Sequence, residues 1–379
     1  MNADRSHPRP EVSVCVVSAF RGGSAWLDVL TALEKQHGVS LSELSSFAES
    51  EYRQSQRGIK RVILRLRLFL MFPIYAIVRV VGAAWKPNTV FILNSSPFYL
   101  SWLLAWCLRK RAIVLHNDLY PEAAVAAGLI QPSNPIAVLL SAIRRRAVRH
   151  SRNVVLAEEH RVALEGVPEQ LISVIPTGSG QCGSSAHNTP KHSDGPIEAL
   201  YCGAIGHVHD IDTFLESTSR YGLPSNLRVT FAVSGTRAQE FRERASAQCK
   251  GTIDSGQLVI QGPLSEHDWT DRMARAHIGL VFLNEAGALA SVPSKLYGCM
   301  AFGQAVLAVA PSTSATARLV DTAHCGWVVP VGRPDLLSAV LGSMGDRNTI
   351  SARGQRGQSE YATRYSRDAI ALQLSLIHI

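Results

Sequence analysis

Residues Val12–Ala19 read VSVCVVSA, and Arg21, Gly22 and Gly23 follow shortly after them. A continuous apolar run rich in β-branched residues predicts a buried strand of a parallel sheet. The glycine pair predicts a tight turn into a helix, which we place at Ala25–His37. A buried strand, a glycine turn and a helix make the first unit of a repeating β-α pattern.

The rest of the chain repeats this unit in two series. Residues 178–196 are rich in Gly, Ser, Pro and Asn without an apolar period, which predicts a domain boundary. We therefore expect an α/β protein with two parallel-sheet domains and a cleft between them. The remaining predicted strands are Thr89–Leu93, Ala112–Leu115, Asn153–Leu156, Leu171–Ile175, Glu198–Cys202, Arg228–Ser234, Gln257–Gln261, His277–Phe282, Ala305–Ala308 and Gly326–Pro330.

Composition narrows the class of protein. The 379 residues are 46% hydrophobic and 18% charged, which excludes intrinsic disorder, collagen-like repeats and a highly charged coiled coil. The net charge of +8 favours an anionic partner, such as nucleic acid, a phosphorylated small molecule or a membrane. Seven cysteines form no Cys-x-x-Cys pair, so no disulfide framework or zinc site is predicted. The polar N-terminus lacks a signal-peptide core, and we expect a cytoplasmic protein.

The stretch Val62–Val81 raises the question of a membrane. It is strongly apolar but carries three arginines, and its longest uncharged run, Leu68–Val78, has 11 residues, against about 20 for a membrane-spanning helix. We expect a helix near residues 60–84 that lies in the membrane interface, where arginines reach anionic headgroups. A buried core helix with exposed arginines fits the same pattern.

The last six residues, Leu374–Ile379, are expected to be non-native. Their sequence, LSLIHI, is the translation of CTG TCT CTT ATA CAC ATC, an adaptor used in transposase-based sequencing libraries. They do not continue the preceding helical pattern, and we leave them out of the predicted fold.

A polar cluster follows the predicted strand Ala112–Leu115. His116, Asp118 and Glu122 lie within seven residues there, and ligands of open α/β sheets bind at the carboxyl ends of strands. A histidine and two carboxylates are candidate catalytic groups, because they can position a hydroxyl or stabilise developing positive charge. A helix start, with Asp118 as N-cap and Glu122 in the first turn, fits the same residues.

Three predicted strands of the second series end in glycine-containing loops. Gly203 and Gly206 follow the first strand, Gly235 and Arg237 the second, and Gly262 the third. Glycines let a backbone approach a phosphate, and the N-terminus of the next helix adds partial positive charge. The loops are candidate nucleotide-binding segments, and they also fit plain turns between strands and helices.

Pro293, Ser294 and Lys295 open a predicted helix that Gly303 ends, with Ser294 as the expected N-cap. A helix N-terminus beside a lysine combines backbone N–H groups with a positive charge, which is typical of a diphosphate site. A capped core helix with a solvated lysine fits the same residues.

The sequence gives no indication of a nucleic-acid site or of several common catalytic and metal-binding motifs. Ala142–Arg152 carries five arginines without aromatic residues, which predicts a solvated or membrane-facing helix surface and no nucleic-acid site. The sequence contains no HExxH, P-loop, GxSxG or paired metal-ligand pattern.

Together these motifs resemble bacterial glycosyltransferases of family 4. The likeness is greatest to the N-acetylfucosamine/N-acetylglucosamine transferase-like branch of surface-polysaccharide biosynthesis. Asn117–Glu122 followed by Ala127–Ile130 resembles that branch's Asp-Leu-Trp-Pro-Glu … Gly segment. Tyr201–Gly206 resembles the glycine loop that opens its donor domain, and Val292–Gly303 resembles its Pro-Ser-Lys donor motif.

The resemblance implies the GT-B fold, with two Rossmann-like domains. It places an acceptor-binding domain at 1–177, a linker at 178–196, a donor-binding domain at 197–345 and helices that return toward the first domain at 346–373. It also implies transfer with retention of configuration from a nucleotide-sugar, of the UDP class, to a lipid-linked or glycan acceptor at the cytoplasmic membrane face. No metal or cofactor is expected.

The resemblance also assigns residues. The acceptor or phosphate loop would contain Gly22 and Gly23, and His116 or Asp118 would lie near the reacting sugar. Residues that would line the donor are Gly203, Gly206, Gly235, Arg237 and Pro293–Lys295.

The chain departs from the family pattern at several positions. Ala290 and Gly298 stand where many members have two glutamates, the second of which grips the ribose. Tyr120 replaces a tryptophan, and His207, His209 and Asp210 replace basic residues. A catalytically degenerate GT-B protein that binds nucleotides or other proteins, and a nucleotide-sugar epimerase, therefore stay open as alternatives to a transferase.

Overall fold

The computed structural model describes residues 12–21, 25–37, 39–48, 51, 58–178, 195–290 and 292–378. Its two large sheets are six-stranded and wholly parallel, as expected from the buried apolar runs. Every predicted strand is present, and its bounds differ from the prediction by two residues or fewer.

The N-terminal domain is built on the first sheet, with strand order β3-β1-β5-β6-β7-β8. Its strands are Ser13–Val17 (β1), Phe20–Arg21 (β2), Ser40–Leu44 (β3), Phe47–Ala48 (β4), Thr89–Asn94 (β5), Ala112–His116 (β6), Arg152–Val155 (β7) and Ile172–Val174 (β8), of which β2 and β4 form a separate pair. Its α-helices are Ala25–His37 (α1), Ile59–Ala84 (α2), Phe98–Leu108 (α3), Glu122–Ala126 (α4) and Pro135–Val148 (α5).

The C-terminal domain is built on the second sheet, with strand order β11-β10-β9-β12-β13-β14. Its strands are Ile197–Ala204 (β9), Leu227–Ser234 (β10), Leu258–Gln261 (β11), Ile278–Phe282 (β12), Ala305–Val309 (β13) and Gly326–Val329 (β14). Its helices are Asp212–Tyr221 (α6), Ala238–Gln248 (α7), Lys250–Asp254 (α8), Glu266–Arg275 (α9), Glu285–Ala290 (α10), Ser294–Ala301 (α11), Ala315–Thr322 (α12), Pro334–Ser343 (α13), Arg347–Glu360 (α14) and Arg367–His378 (α15).

The two domains touch at several places. Helix α15 packs against α1, where Ile370 and Leu374 are buried in one cluster with Trp26. Elsewhere Glu159 accepts a hydrogen bond from the backbone amide of Ala315, at 2.6 Å. These contacts hold the carboxyl ends of the two sheets on either side of the cleft.

Three local predictions are wrong. The helical pattern does not end before Leu374, because α15 runs to His378 and buries that leucine. Ser294 is not the N-cap of α11, since Pro293 occupies that position and Ser294 is the first helical residue. Asp118 is not an N-cap either, because α4 begins at Glu122 with Pro121 before it.

Helix α2 runs unbroken through Pro73, which lacks the N–H that would bond to the carbonyl of Phe69. The hydroxyl of Tyr99 on α3 donates to that carbonyl instead. A π-helical segment, Arg67–Met71, comes directly before the proline and widens the helix there. Apart from Pro73, the side chains that α2 buries recur every four residues and form one stripe against the sheet: Leu64, Leu68, Phe72, Ala76 and Val80.

Candidate active site

A chain of hydrogen bonds crosses the carboxyl edge of the first sheet. Trp26 Nε1 donates to Asn117 Oδ1 (2.6 Å), Asn117 Nδ2 donates to Asn94 Oδ1 (2.9 Å), and Asn94 Nδ2 donates to Ser18 Oγ (3.3 Å). The four residues belong to or follow β1, α1, β5 and β6, so these hydrogen bonds fix the floor of the cleft on the side of the N-terminal domain. Sequence reasoning gave Ser18 and Asn94 no role, although each is a polar residue at the end of an apolar strand.

His116 lies inside the N-terminal domain. Its side chain is 2% exposed, and Nε2 lies 3.0 Å from Oδ1 of Asn153 on β7. Because the amide nitrogen of Asn153 donates to the carbonyls of Val148 and Ser151, its Oδ1 faces the histidine and accepts the Nε2 proton. Burial lowers the pKa of His116 to about 4, which keeps the ring neutral. This position argues against the predicted contact of His116 with a substrate.

Glu122 is held in a fork with Arg144. The guanidinium donates to both carboxylate oxygens, at 2.5 and 2.9 Å, and to the carbonyls of Tyr120 and Ala163. Arg144 is 1% exposed, so the prediction that it lies on a solvated or membrane-facing surface is wrong. Arg144 points into the protein because its hydrogen bonds join α5 to α4 and to the Glu158–Leu164 turn. Glu122 is one of the residues that hold this contact together.

Asp118 is the exposed carboxylate of the predicted catalytic cluster. It follows β6 directly and lies next to Asn117, which belongs to the hydrogen-bond chain on the cleft floor. Asp118 is therefore the accessible candidate on this side. Gly22 and Gly23, the predicted acceptor or phosphate loop, lie outside the described residues.

Lys295 forms the centre of the opposite side of the cleft. It stands at the start of α11, and its Nζ lies 3.3 Å from the carbonyl of Ala204 and 5.3 Å from the ring centre of Tyr201. Gly203 has a φ of 135°, and a Cβ there would lie 2.7 Å from Lys295 Cε. The positive φ favours glycine at this position, and an added Cβ would also force the lysine side chain to move.

His209 is the second partner of Lys295. Its Nε2 lies 3.4 Å from Nζ, while its Nδ1 lies 3.0 Å from the amide nitrogen and 3.3 Å from the carbonyl of Gly206. Burial, followed by the Lys295 charge, lowers the pKa of His209 to about 4. The imidazole of His209 is therefore neutral, and it lies beside the Lys295 ammonium without neutralising its charge. Sequence comparison had treated His209 only as the loss of a basic residue.

The other predicted donor residues surround this pair to different extents. Gly235 has a φ of 97°, and a Cβ there would lie 2.5 Å from the carbonyl oxygen of Ile205, so two loops meet at this glycine. Arg237 is the N-cap residue of α7 and pairs with Glu240 at 2.6 and 2.8 Å. Gly262 follows the edge strand β11, and a Cβ there would have no neighbour within 4 Å.

The α10 segment brings the two sides of the cleft together. Asn284 donates through Nδ2 to the carbonyl of His207 (2.6 Å), and its backbone amide donates to the carbonyl of Val208 (2.9 Å). The loop that carries His209 is thereby fixed to α10, which packs against α4 of the other domain. Within the described part of the chain, no three His, Cys, Asp or Glu side chains are placed to hold a metal ion.

No protein-family model matches the chain. A probable glycosyltransferase, WbjE of Pseudomonas aeruginosa, is 24% identical over 294 residues, which cover 72% of this chain and 70% of WbjE. Among solved structures, HepE of Anabaena in complex with UDP superposes with a TM-score of 0.66 at 10% identity, over 96% of this chain and 98% of that one. The chain has the GT-B fold.

A second GT-B structure extends over the whole length as well. WaaG, a glycosyltransferase involved in lipopolysaccharide biosynthesis, gives a TM-score of 0.60 at 13% identity, over 97% of this chain and 99% of that one. The two-domain α/β architecture predicted from the sequence is therefore confirmed as GT-B. In this GT-B chain Asp118 follows a strand of the first sheet, and the Lys295 cluster lies beyond the carboxyl ends of strands of the second sheet.

Proposed function

We propose that the protein is a glycosyltransferase that moves a sugar from a nucleotide-sugar to an acceptor bound by the N-terminal domain. The observation that carries the proposal is the position of Lys295, an ammonium at a helix N-terminus beside two glycine loops. Such a site binds a diphosphate through charge and backbone N–H groups. The similarity to WbjE and the UDP in the HepE structure support a UDP-sugar donor.

The proposed reaction breaks the bond between the sugar anomeric carbon and the diphosphate oxygen. The diphosphate leaves with the electron pair, an acceptor hydroxyl oxygen bonds to the anomeric carbon, and the hydroxyl loses its proton. Lys295 stabilises the charge on the leaving group, and Arg237 adds a second cation beside it. Asp118, the exposed carboxylate on the acceptor side, orients the acceptor hydroxyl, and the hydroxyl proton passes to the departing diphosphate oxygen. By the family resemblance, a hexosyl group is transferred with retention of configuration.

The proposed acceptor is a lipid-linked saccharide of surface-polysaccharide synthesis, reached from the cytoplasmic face of a membrane. Between Gly58 and Ala157 the chain has 14 Lys and Arg and only two acidic residues, Asp118 and Glu122. Exposed apolar side chains share this region, on α2 (Ile74, Val78, Val81), α3 (Leu103, Trp106) and α5 (Ile136, Leu139, Ile143). Basic and apolar groups together favour an anionic lipid surface.

We call these exposed side chains of α2, α3 and α5 the apolar face. Helix α2 has the length and composition that a membrane crossing requires. However, α2 also buries its stripe of side chains against the sheet of its own domain. We therefore propose that α2 lies along the membrane surface and does not cross it.

The first experiment is a thermal-shift panel of UDP, GDP, ADP and CMP. A ligand at 100 times its Kd stabilises the folded state by about 2.7 kcal/mol, and we expect this shift with UDP alone. Product analysis with UDP-sugars and a polyprenyl-diphosphate saccharide then tests transfer. No stabilisation by any nucleotide, or conversion of the UDP-sugar without an acceptor, would overturn the proposal. Flotation with anionic vesicles tests membrane attachment separately.

A further inference from the structure

A groove separates the C-terminal halves of α2 and α3 on the apolar face. Its volume is about 500 Å³, and its floor includes Val80 and Leu104, which are buried. The walls are more exposed and include Val81 (57%) and Trp85 (86%). The lining as a whole is apolar apart from one thiol: Ile77, Val80, Val81, Ala84, Trp85, Leu103, Leu104, Cys107 and Leu108.

Cations border the end of the groove where both helices finish. Exposed Lys86 follows Trp85, and exposed Arg109 and Lys110 follow Leu108. Arg111 has a different task, because its guanidinium donates to the carbonyls of Ala84 (2.8 Å), Lys86 (2.9 Å) and Thr89 (3.0 Å). These bonds hold the end of α2 against the sheet and so fix the groove wall. No acidic residue occurs between Gly58 and Asn117.

We propose that this groove binds one hydrocarbon chain of an anionic membrane lipid, whose phosphate lies against Lys86, Arg109 and Lys110. The apolar lining matches the chain, and the cations at one end match the headgroup. The groove is continuous with the apolar face, so a lipid can enter it from a bilayer. A second copy of this chain is a poor occupant, since a symmetric contact would oppose two strongly basic surfaces.

The inference rests on the proposed membrane attachment, but it makes a separate claim about a single lipid. Membrane attachment requires only adsorption of the apolar face to a bilayer. The groove proposal requires binding of a monomeric lipid in the absence of a bilayer. Neither measurement depends on nucleotide binding or transferase turnover, so a failure of either one leaves the catalytic proposal to its own test.

Cys107 provides the readout because it is exposed and lines the groove, whereas Cys15, Cys249, Cys299 and Cys325 are buried. The rate of its alkylation is measured on the full chain with dioctanoyl phosphatidylglycerol held below its critical micelle concentration. We expect the lipid to slow alkylation of Cys107 in a saturable manner. Glycerol phosphate, which lacks chains, should leave the rate unchanged. A Cys107→Ser variant identifies the labelled thiol by peptide mass.

Two variants of α2 form a matched pair. Val81 and Val78 are similarly exposed, at 57% and 65%, but Val81 lines the groove and Val78 does not. We expect Val81→Glu to raise the lipid concentration that protects Cys107 by roughly tenfold or more, since it places a carboxylate beside the hydrocarbon chain. Val78→Glu should stay within about twofold of the wild type, the scatter of a surface change.

Three results would overturn the proposal. The first is protection of Cys107 that Val81→Glu does not weaken. The second is equal protection by glycerol phosphate, which would place the anion elsewhere. The third is protection without lipid that rises with protein concentration, which would make a second copy of the chain the occupant.

Discussion

Lys295 Nζ lies 3.4 Å from His209 Nε2, and this contact requires a different tautomer of His209 from its contact with the Gly206 amide. An ammonium can only donate, so its contact requires a lone pair on Nε2 and a proton on Nδ1, directed at the carbonyl of Gly206 (3.3 Å). The amide of Gly206, 3.0 Å from Nδ1, requires the opposite arrangement. In the proposed nucleotide complex, Lys295 would turn to the diphosphate, and Nε2 would then be able to carry the proton and donate to a phosphate oxygen.

The first prediction concerns the electrostatic coupling of this pair. Burial and the Lys295 charge together lower the pKa of His209 to about 4, so Lys295→Met should raise it. It should stay below 6.5 because burial is the larger cause. Titration of the His209 ring by nitrogen-15 NMR measures this change. Lys250→Met, an exposed position on α8, is the matched control, and an equal shift in both variants would contradict the coupling.

The second prediction concerns nucleotide affinity. Removal of a charged donor from a phosphate costs about 1.5–3 kcal/mol, so Lys295→Met should weaken UDP binding by roughly 10- to 100-fold. Calorimetric titration measures the Kd. Lys250→Met should bind UDP as the wild type does. If the two variants bound equally well, the diphosphate would not lie at Lys295.

The third prediction separates two glycines that the sequence assigned to the same role. Gly235→Ala places a Cβ 2.5 Å from the Ile205 carbonyl at a φ of 97°, and we expect a loss of about 2 kcal/mol or more in the free energy of unfolding. Gly262→Ala meets nothing within 4 Å and should change it by about 0.5 kcal/mol or less. Urea denaturation of both variants measures these losses. If Gly235→Ala lost as little unfolding free energy as Gly262→Ala, the backbone at Gly235 would relax around the added Cβ at low cost.

The fourth prediction concerns the pH dependence of stability. The folded-state pKa of His116 is about 4 and the reference value is 6.5. Between these two pH values the unfolded chain binds a proton at His116 and the folded chain does not. Its contribution to stability is therefore lost as pH falls from 6.5 toward 4. His116→Gln should reduce the slope of unfolding free energy near pH 5 by about 1.4 kcal/mol per pH unit. Near pH 8 the slopes should coincide, and an unchanged slope at pH 5 would mean that His116 titrates normally.

Much of the fold could be predicted because buried parallel strands are apolar runs that end in turn residues. The Ser40–Leu44 strand could not, since it lies at the sheet edge and alternates exposed polar with partly buried residues. Helix α2 was placed correctly, but its continuity through Pro73 depends on Tyr99 of another helix. Contacts of that kind leave no trace in local periodicity.

The candidate site also contains residues that the sequence could predict and residues that it could not. The Pro293–Lys295 motif and the loop at Gly203 could be found because a helix start and a glycine loop are local patterns. His116 could not be judged, because its burial depends on Asn153, 37 positions away on a neighbouring strand. Arg144 could not be judged either, because its partners are the carboxylate of Glu122 and the carbonyls of Tyr120 and Ala163, which lie 19 to 24 positions away.

The fifth prediction tests the inward arginine. Arg144→Met leaves the carboxylate of Glu122 and two carbonyls without their donor, in a region where the guanidinium is 1% exposed. Breaking a fully buried pair from one side costs about 3–5 kcal/mol. Because the Glu122 side chain is 30% exposed, we expect a smaller loss of about 2–3 kcal/mol in urea denaturation. Arg146→Met, on the exposed side of the same helix, should change stability by about 0.5 kcal/mol or less.

A double variant distinguishes the loss of the ion pair from the loss of packing. If the main penalty is the unpaired carboxylate, Glu122→Gln should restore part of the stability that Arg144→Met removes, because a neutral amide needs no cation. If the double variant is no more stable than Arg144→Met alone, the arginine acts by bridging the carbonyls of Tyr120 and Ala163. In that case Glu122 would be released from a structural duty, and its carboxylate would again be a candidate for the chemistry of the cleft.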